Sequence, residues 1–169
     1  KISIITLLRG NRDYIPIILH NYNNFSYNKD DLELVVIDDG KESSLSMFKD
    51  VQNCTYLHLT ESDISEFMEK IIEGSKAPDK LPLQFQNKIK QLPDGFRRDY
   101  GVGMSSHDFI FHMNYDCLYH PKTIERKVRL LKKVGSECIY CDSMLCYDIY
   151  NKELYKTISP QKIFQRFQL

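Results

Sequence analysis

Ile2-Ser3-Ile4-Ile5-Thr6-Leu7-Leu8 and Leu34-Val35-Val36-Ile37-Asp38-Asp39-Gly40 set the fold between them. Each begins as a short β-rich apolar run, the pattern of a strand buried on both faces of a parallel sheet. Between them, Arg9-Gly10-Asn11-Arg12-Asp13 is a polar turn. Tyr14 to Tyr22 then sets Ile15, Ile18, Leu19 and Tyr22 on one helical face, with Pro16 tolerated in the first turn. Strand, helix, strand is a right-handed crossover unit.

The alternation continues in both composition and period. Ser44 to Lys49 predicts a short helix and Cys54 to Leu59 a third strand. Ile64, Phe67, Met68, Ile71 and Ile72 fall at helical spacing in a helix that Gly74 caps. Residues 75–95, with three prolines, read as a loop or insertion holding a short helix. Phe96 to Ser106 predicts a short polar helix, Phe109 to Met113 a fourth strand, and Pro121 the start of a helix striped by Ile124, Val128 and Leu131. Glu137 to Ile149 and Glu153 to Ile158 read as two strands that could pair as a hairpin. The expected fold class is α/β, a Rossmann-like, doubly wound, mostly parallel sheet with flanking helices.

At 169 residues the chain is read as one domain, and Lys1 in place of an initiator Met suggests a piece of a longer protein. Basic and acidic residues total 23 each, so no net field attracts nucleic acid or an anionic membrane. No apolar run reaches the roughly 18 residues of a membrane span. The five cysteines are odd in number, which fits a reduced, cytoplasmic chain. Cys138-Ile-Tyr-Cys141 lacks the second pair that a zinc site requires, so its thiols are read as small core residues on a strand.

Ligands of such sheets bind beyond the carboxyl ends of the strands. Three of those ends carry polar groups here: Arg9 to Arg12, Asp38 with Asp39, and Asn114 to Asp116. Each alone fits a turn or a cap, but together they suggest one site. The chain has no GxGxxG and no GxxxxGK[ST] loop, so a dinucleotide dehydrogenase and a P-loop enzyme are both disfavoured.

The order of these pieces resembles the family-two-like, GT-A-fold nucleotide-sugar glycosyltransferases. The residues that carry the resemblance are Ile4-Ile5-Thr6-Leu7-Leu8-Arg9-Gly10-Asn11-Arg12, Val36-Ile37-Asp38-Asp39-Gly40, Arg97-Arg98-Asp99-Tyr100-Gly101, and His107 to Cys117 with its Asn114-x-Asp116. It covers about residues 2 to 133. It implies a donor pocket in which Thr6, Arg9 and Arg12 line base and ribose, and Asp38 or Asp39 accepts from the base or ribose. Arg98 would face the phosphates, although Arg97 and Arg98 fit a solvated helix face equally well. Asp116, assisted by Asn114, would hold Mn²⁺ or Mg²⁺ against the departing diphosphate. The sequence departs from the family in lacking a Pro-Thr pair in the first turn, and in carrying Asn114 where an Asp is common, which keeps an oxygen but gives up a charge.

No residue matches the family's later catalytic base, and Asp142 is the nearest candidate, although a turn or core-edge Asp is the blander reading. The activity implied is transfer of a sugar from a UDP-linked donor to a hydroxyl of a saccharide or protein-linked glycan, with inversion. Two alternatives stay open: a catalytically inactive nucleotide-sugar or glycan-binding module, and a sugar nucleotidyltransferase, for which Arg9-Gly10-Asn11-Arg12 is a poor loop.

Overall fold

The computed structural model describes residues 1–74, 92–141, 145–148 and 150–156. Asp142 and most of the 75–95 segment lie outside these residues. The chain forms two compact units, Lys1–Arg126 and Lys127–Leu169.

In the first unit a four-stranded, all-parallel sheet runs in the order β3-β2-β1-β4. The strands are β1 (Ile2–Leu8), β2 (Leu32–Asp38), β3 (Cys54–His58) and β4 (Phe109–His112). The helices are α1 (Ile15–Asn24), α2 (Glu61–Gly74), α3 (Asp94–Gly103) and α4 (Thr123–Val134), the last crossing the boundary between the units. Every residue of β1 and β2 is buried, as their unbroken apolar runs require.

Helices cover both faces of the sheet. Ile5, Leu7, Val35 and Ile37 share a core with Ile64 and Phe67 of α2 and with Phe96 and Tyr100 of α3. The strand pleat sends Ile4, Thr6 and Leu34 to the opposite side. There Phe25, at the end of α1, meets Phe111 edge-on at 6.1 Å, and Phe111 sits in register with Ile4. The expected doubly wound α/β class is the one found.

Three local expectations are corrected. Ser44 to Lys49 makes only a three-residue 3-10 turn, Leu45–Met47. Its hydrogen bonds run from the Met47 N–H to the Ser44 carbonyl and from the Phe48 N–H to the Leu45 carbonyl, the three-residue spacing of a 3-10 turn, and so short a turn does not propagate. Among the described residues of the strand expected from Glu137 to Ile149, those up to Cys141 are not strand, while Leu145–Asp148 form β5, paired antiparallel with β6 (Glu153–Lys156) as the expected hairpin. Before it, Gly135 turns left-handed, and the Ser136 hydroxyl bonds both backbone groups of Cys138. Such local bonds compete with a strand ladder. Cys138 and Cys141 are therefore exposed thiols and not core residues.

Candidate functional site

The strand order places β1 between β2 and β4, which makes the gap between the carboxyl ends of β1 and β4 the topological switch point. A cleft of about 180 Å³ opens there, lined by Leu7, Arg9, Asp94, Arg98, Met113, Asn114, Tyr115 and Asp116. It gathers residues from the end of β1, the first two turns of α3 and the loop after β4.

That loop is held from below. Asn21 of α1 donates to the Cys117 carbonyl at 2.7 Å and accepts from the Tyr119 N–H at 2.9 Å. The Asn114 N–H donates to the Tyr119 hydroxyl at 3.0 Å, and Tyr115 packs edge-on against Tyr14, 5.1 Å between centroids. Asn114 and Asp116 are thus presented to solvent on a braced turn.

The two adjacent aspartates after β2 have different jobs. Asp38, wholly buried, accepts from the Gly40 N–H at 2.9 Å, the Gly10 N–H at 3.3 Å and the Tyr56 hydroxyl at 2.5 Å. It ties the turn after β1 to the turn after β2. The two turns touch through glycines. Gly10 has φ +67°, and a Cβ on Gly40 would lie 2.5 Å from the Gly10 Cα, closer than side chains tolerate.

Asp39 faces α3, where the wholly buried Arg97 donates to it at 2.8 Å. Its other oxygen is buried without a hydrogen-bond partner, as is the Arg97 Nε. Burial pushes the Asp39 carboxyl above its ordinary value, against the opposing charges of Arg97 and Arg9.

Arg97 also donates to Asp94 at 2.5 Å, and the exposed Arg9 pairs with the same Asp94 oxygen. Against the opposing effect of burial, the hydrogen bond and charge of Arg97, with those of Arg9, hold the Asp94 carboxyl below its usual range. Arg98, one helical position on, turns instead into the cleft and donates to the Asn114 Oδ1 at 3.3 Å.

Of the residues singled out from the sequence, Arg9, Arg98, Asn114 and Asp116 meet in one cleft. Asp39 stands behind its wall, bonded to Arg97. Asp38 serves as the internal lock just described, and Thr6 is fully buried with its hydroxyl unpartnered, away from the cleft lining. Arg12 is turned outward to Glu42 and the Ser43 carbonyl. Sequence reasoning missed Asp94, whose signal was its i,i+3 spacing to Arg97. It also weighed Arg97 as a solvated helix residue or a ligand-facing one, whereas Arg97 is entirely buried and does not line the cleft.

The donor set constrains the kind of metal ion that fits. Among the described residues no group of three or more His, Cys, Asp or Glu side chains is placed to hold one. The Asn114 oxygen already accepts from a guanidinium. A divalent ion about 2.1 Å from that oxygen would lie within about 5.4 Å of the guanidinium nitrogen, a repulsion of about 6 kcal/mol at an effective dielectric of about 20. Asp116 remains as the one carboxylate lining the cleft with no arginine on it. A single carboxylate fits Mg²⁺ or Mn²⁺ when substrate phosphates and waters complete the shell.

No family model matches the chain, and no curated protein does. Solved structures do match. The chain is similar to S. aureus TarS 1-349 in complex with UDP-GlcNAc, with a TM-score of 0.52 and 17% identity over 79% of this chain and 31% of that one. It is similar to S. aureus TarS, with a TM-score of 0.55 and 16% identity over 87% and 21% of the two chains. For TarS 1-349 in complex with UDP the values are 0.53, 14%, 79% and 32%. The chain spans less than half the length of these structures. At such identities the likeness is one of fold, and that fold is GT-A-like, as the motif order implies.

Proposed function

We propose that this domain binds a UDP-linked sugar in the cleft between β1 and β4 and is the donor-binding part of an inverting glycosyltransferase. The observation that carries the reading is the convergence of Arg9, Arg98 and Asp116 at the switch point of the sheet. The UDP and UDP-GlcNAc named with the similar TarS structures support a uridine donor.

In the reaction proposed, the oxygen of a saccharide or protein-linked glycan hydroxyl attacks the anomeric carbon from the side opposite the diphosphate. The bond from that carbon to the diphosphate oxygen breaks, and UDP leaves with the electron pair. A carboxylate takes the acceptor's proton. Asp142 is nominated for that role. Arg9 and Arg98 orient the diphosphate and stabilise its growing charge. Mn²⁺ or Mg²⁺, held through Asp116, would supply the remaining Lewis-acid stabilisation. Asn114 favours a second reading, a module of the same fold that binds the nucleotide sugar without turning it over.

Calorimetric titration of UDP and UDP-GlcNAc, with GDP and CMP as controls and with or without Mn²⁺, tests the site. Selective uridine binding, weakened in Asp116→Ala when Mn²⁺ is present, is the expected result. A folded sample that binds no nucleotide under either condition refutes it. Release of free sugar from UDP-sugar then separates the enzyme from the inactive module.

A further inference from the structure

We propose, on the reading of the cleft as a nucleotide-diphosphate site, that Asn114 and Arg98 together set the order of assembly. The protein grips the diphosphate through Arg98 first, and the divalent ion binds only once the diphosphate is there to complete its shell. Arg98 differs from the arginines around it. Arg9 and Arg97 each have an aspartate partner. Arg98 has no ion-pair partner among the described residues, its one side-chain acceptor is the neutral Asn114 amide, and its Nη1 is buried with no acceptor. It is therefore the uncompensated cation of the cleft, and a guanidinium fork matches phosphate oxygens bidentately.

The same substitution weakens the site for a bare ion. An aspartate at 114 would neutralise Arg98 and add a second anionic oxygen beside Asp116. With asparagine there, a cation meets one carboxylate and an opposing guanidinium, and needs the phosphates to complete its shell. The identity of one residue thus trades metal affinity for direct anion affinity.

The test uses three probes, Mn²⁺ alone, UDP and inorganic pyrophosphate, read by calorimetry and by the electron paramagnetic resonance of free Mn²⁺. Nucleotide-free protein is expected to show no saturable Mn²⁺ binding below millimolar concentrations. UDP and pyrophosphate are expected to bind in EDTA. Arg98→Gln should weaken both about 10- to 100-fold there, the effect of losing one charged hydrogen bond. Arg98→Lys, which keeps the charge, should fall between, and melting curves verify that both variants fold.

Asn114→Asp is the sharper variant. It should weaken UDP about tenfold in EDTA and enlarge the gain on adding Mn²⁺ by a similar factor. Tight Mn²⁺ binding without nucleotide, UDP binding that requires Mn²⁺, or an unchanged Mn²⁺ response in Asn114→Asp would each overturn the inference. Pyrophosphate binding in EDTA without any UDP binding would keep the anion grip and remove the uridine reading. Binding of neither would overturn both.

Discussion

The two ends of the parallel sheet treat buried polar groups in opposite ways. At the amino end, Glu33 of β2 is nearly buried and satisfied from four donors. Ser3 donates at 2.6 Å, the Ser106 N–H at 2.9 Å, the Ser106 hydroxyl at 3.0 Å and Thr55 at 3.5 Å. At the carboxyl end, Asp39, Arg97 and Arg98 each leave one buried atom unpartnered, and Thr6 and Ser44 nearby do the same. These five are the unpartnered buried side-chain atoms among the described residues. Folded proteins satisfy most such groups, and the exceptions gather where ligands bind. One end of this sheet is built to be held shut and the other to be completed.

The contrast is broken most severely at Arg97. Arg97→Met leaves Asp39 buried without its cation, a loss of about 3–5 kcal/mol by urea unfolding. Adding Asp39→Asn should recover a large part of it. If the double variant is no more stable than the single one, the pair is not what holds α3 to the turn after β2.

Gly40→Ala comes next, at about 2 kcal/mol, because its Cβ forces the Gly10 and Gly40 backbones apart. A melting temperature equal to wild type would refute that close approach. Glu33→Gln should cost about 1–2 kcal/mol at neutral pH, since the amide keeps one oxygen for the Ser106 N–H and Ser3 but loses the charge that strengthens all of these bonds and turns an NH2 on the Ser106 and Thr55 hydroxyls.

The dependence on pH separates the two ends further. Against the opposing effect of burial, hydrogen bonds from Ser3 and Ser106 hold the Glu33 carboxyl below its ordinary value. Its contribution is therefore full above about pH 4.5 and is lost as the pH falls through the depressed value. Asp39 has the opposite sign. Its raised carboxyl favours the fold when protonated, and that contribution is lost as the pH rises through the raised value. Glu33→Gln should flatten the acid limb of stability against pH, and an unaltered limb would assign acid unfolding elsewhere. The smallest effect belongs to Arg12→Ala at the exposed Glu42 pair, under about 1 kcal/mol in the same unfolding assay.

Much of the sheet is legible in the residues alone. β1 falls where expected, β2 runs two residues earlier and one later than its apolar core, and α3 begins at Asp94, two residues before the expected start. Buried parallel strands announce themselves because both faces are apolar, so no partner has to be known. The segment from Glu137 to Cys141 misleads, because its alternation resembles a strand while the Ser136 hydroxyl just before it bonds both backbone groups of Cys138. Of the site, the cleft residues Arg9, Arg98, Asn114 and Asp116 are legible as strand-end or helix polar groups, and Asp94 is not.

Residue type and local period are enough to establish the α/β alternation, the polar strand ends and the absence of a glycine cradle. Choosing between adjacent residues took the packed fold. In a strand, adjacent side chains leave opposite faces, so Asp38 locks two turns while Asp39 meets α3. In a helix, adjacent residues are turned about 100° apart, so Arg97 is buried against Asp39 while Arg98 enters the cleft. Where each member of a pair ends up depends on the register of one element against another, and no local pattern contains that.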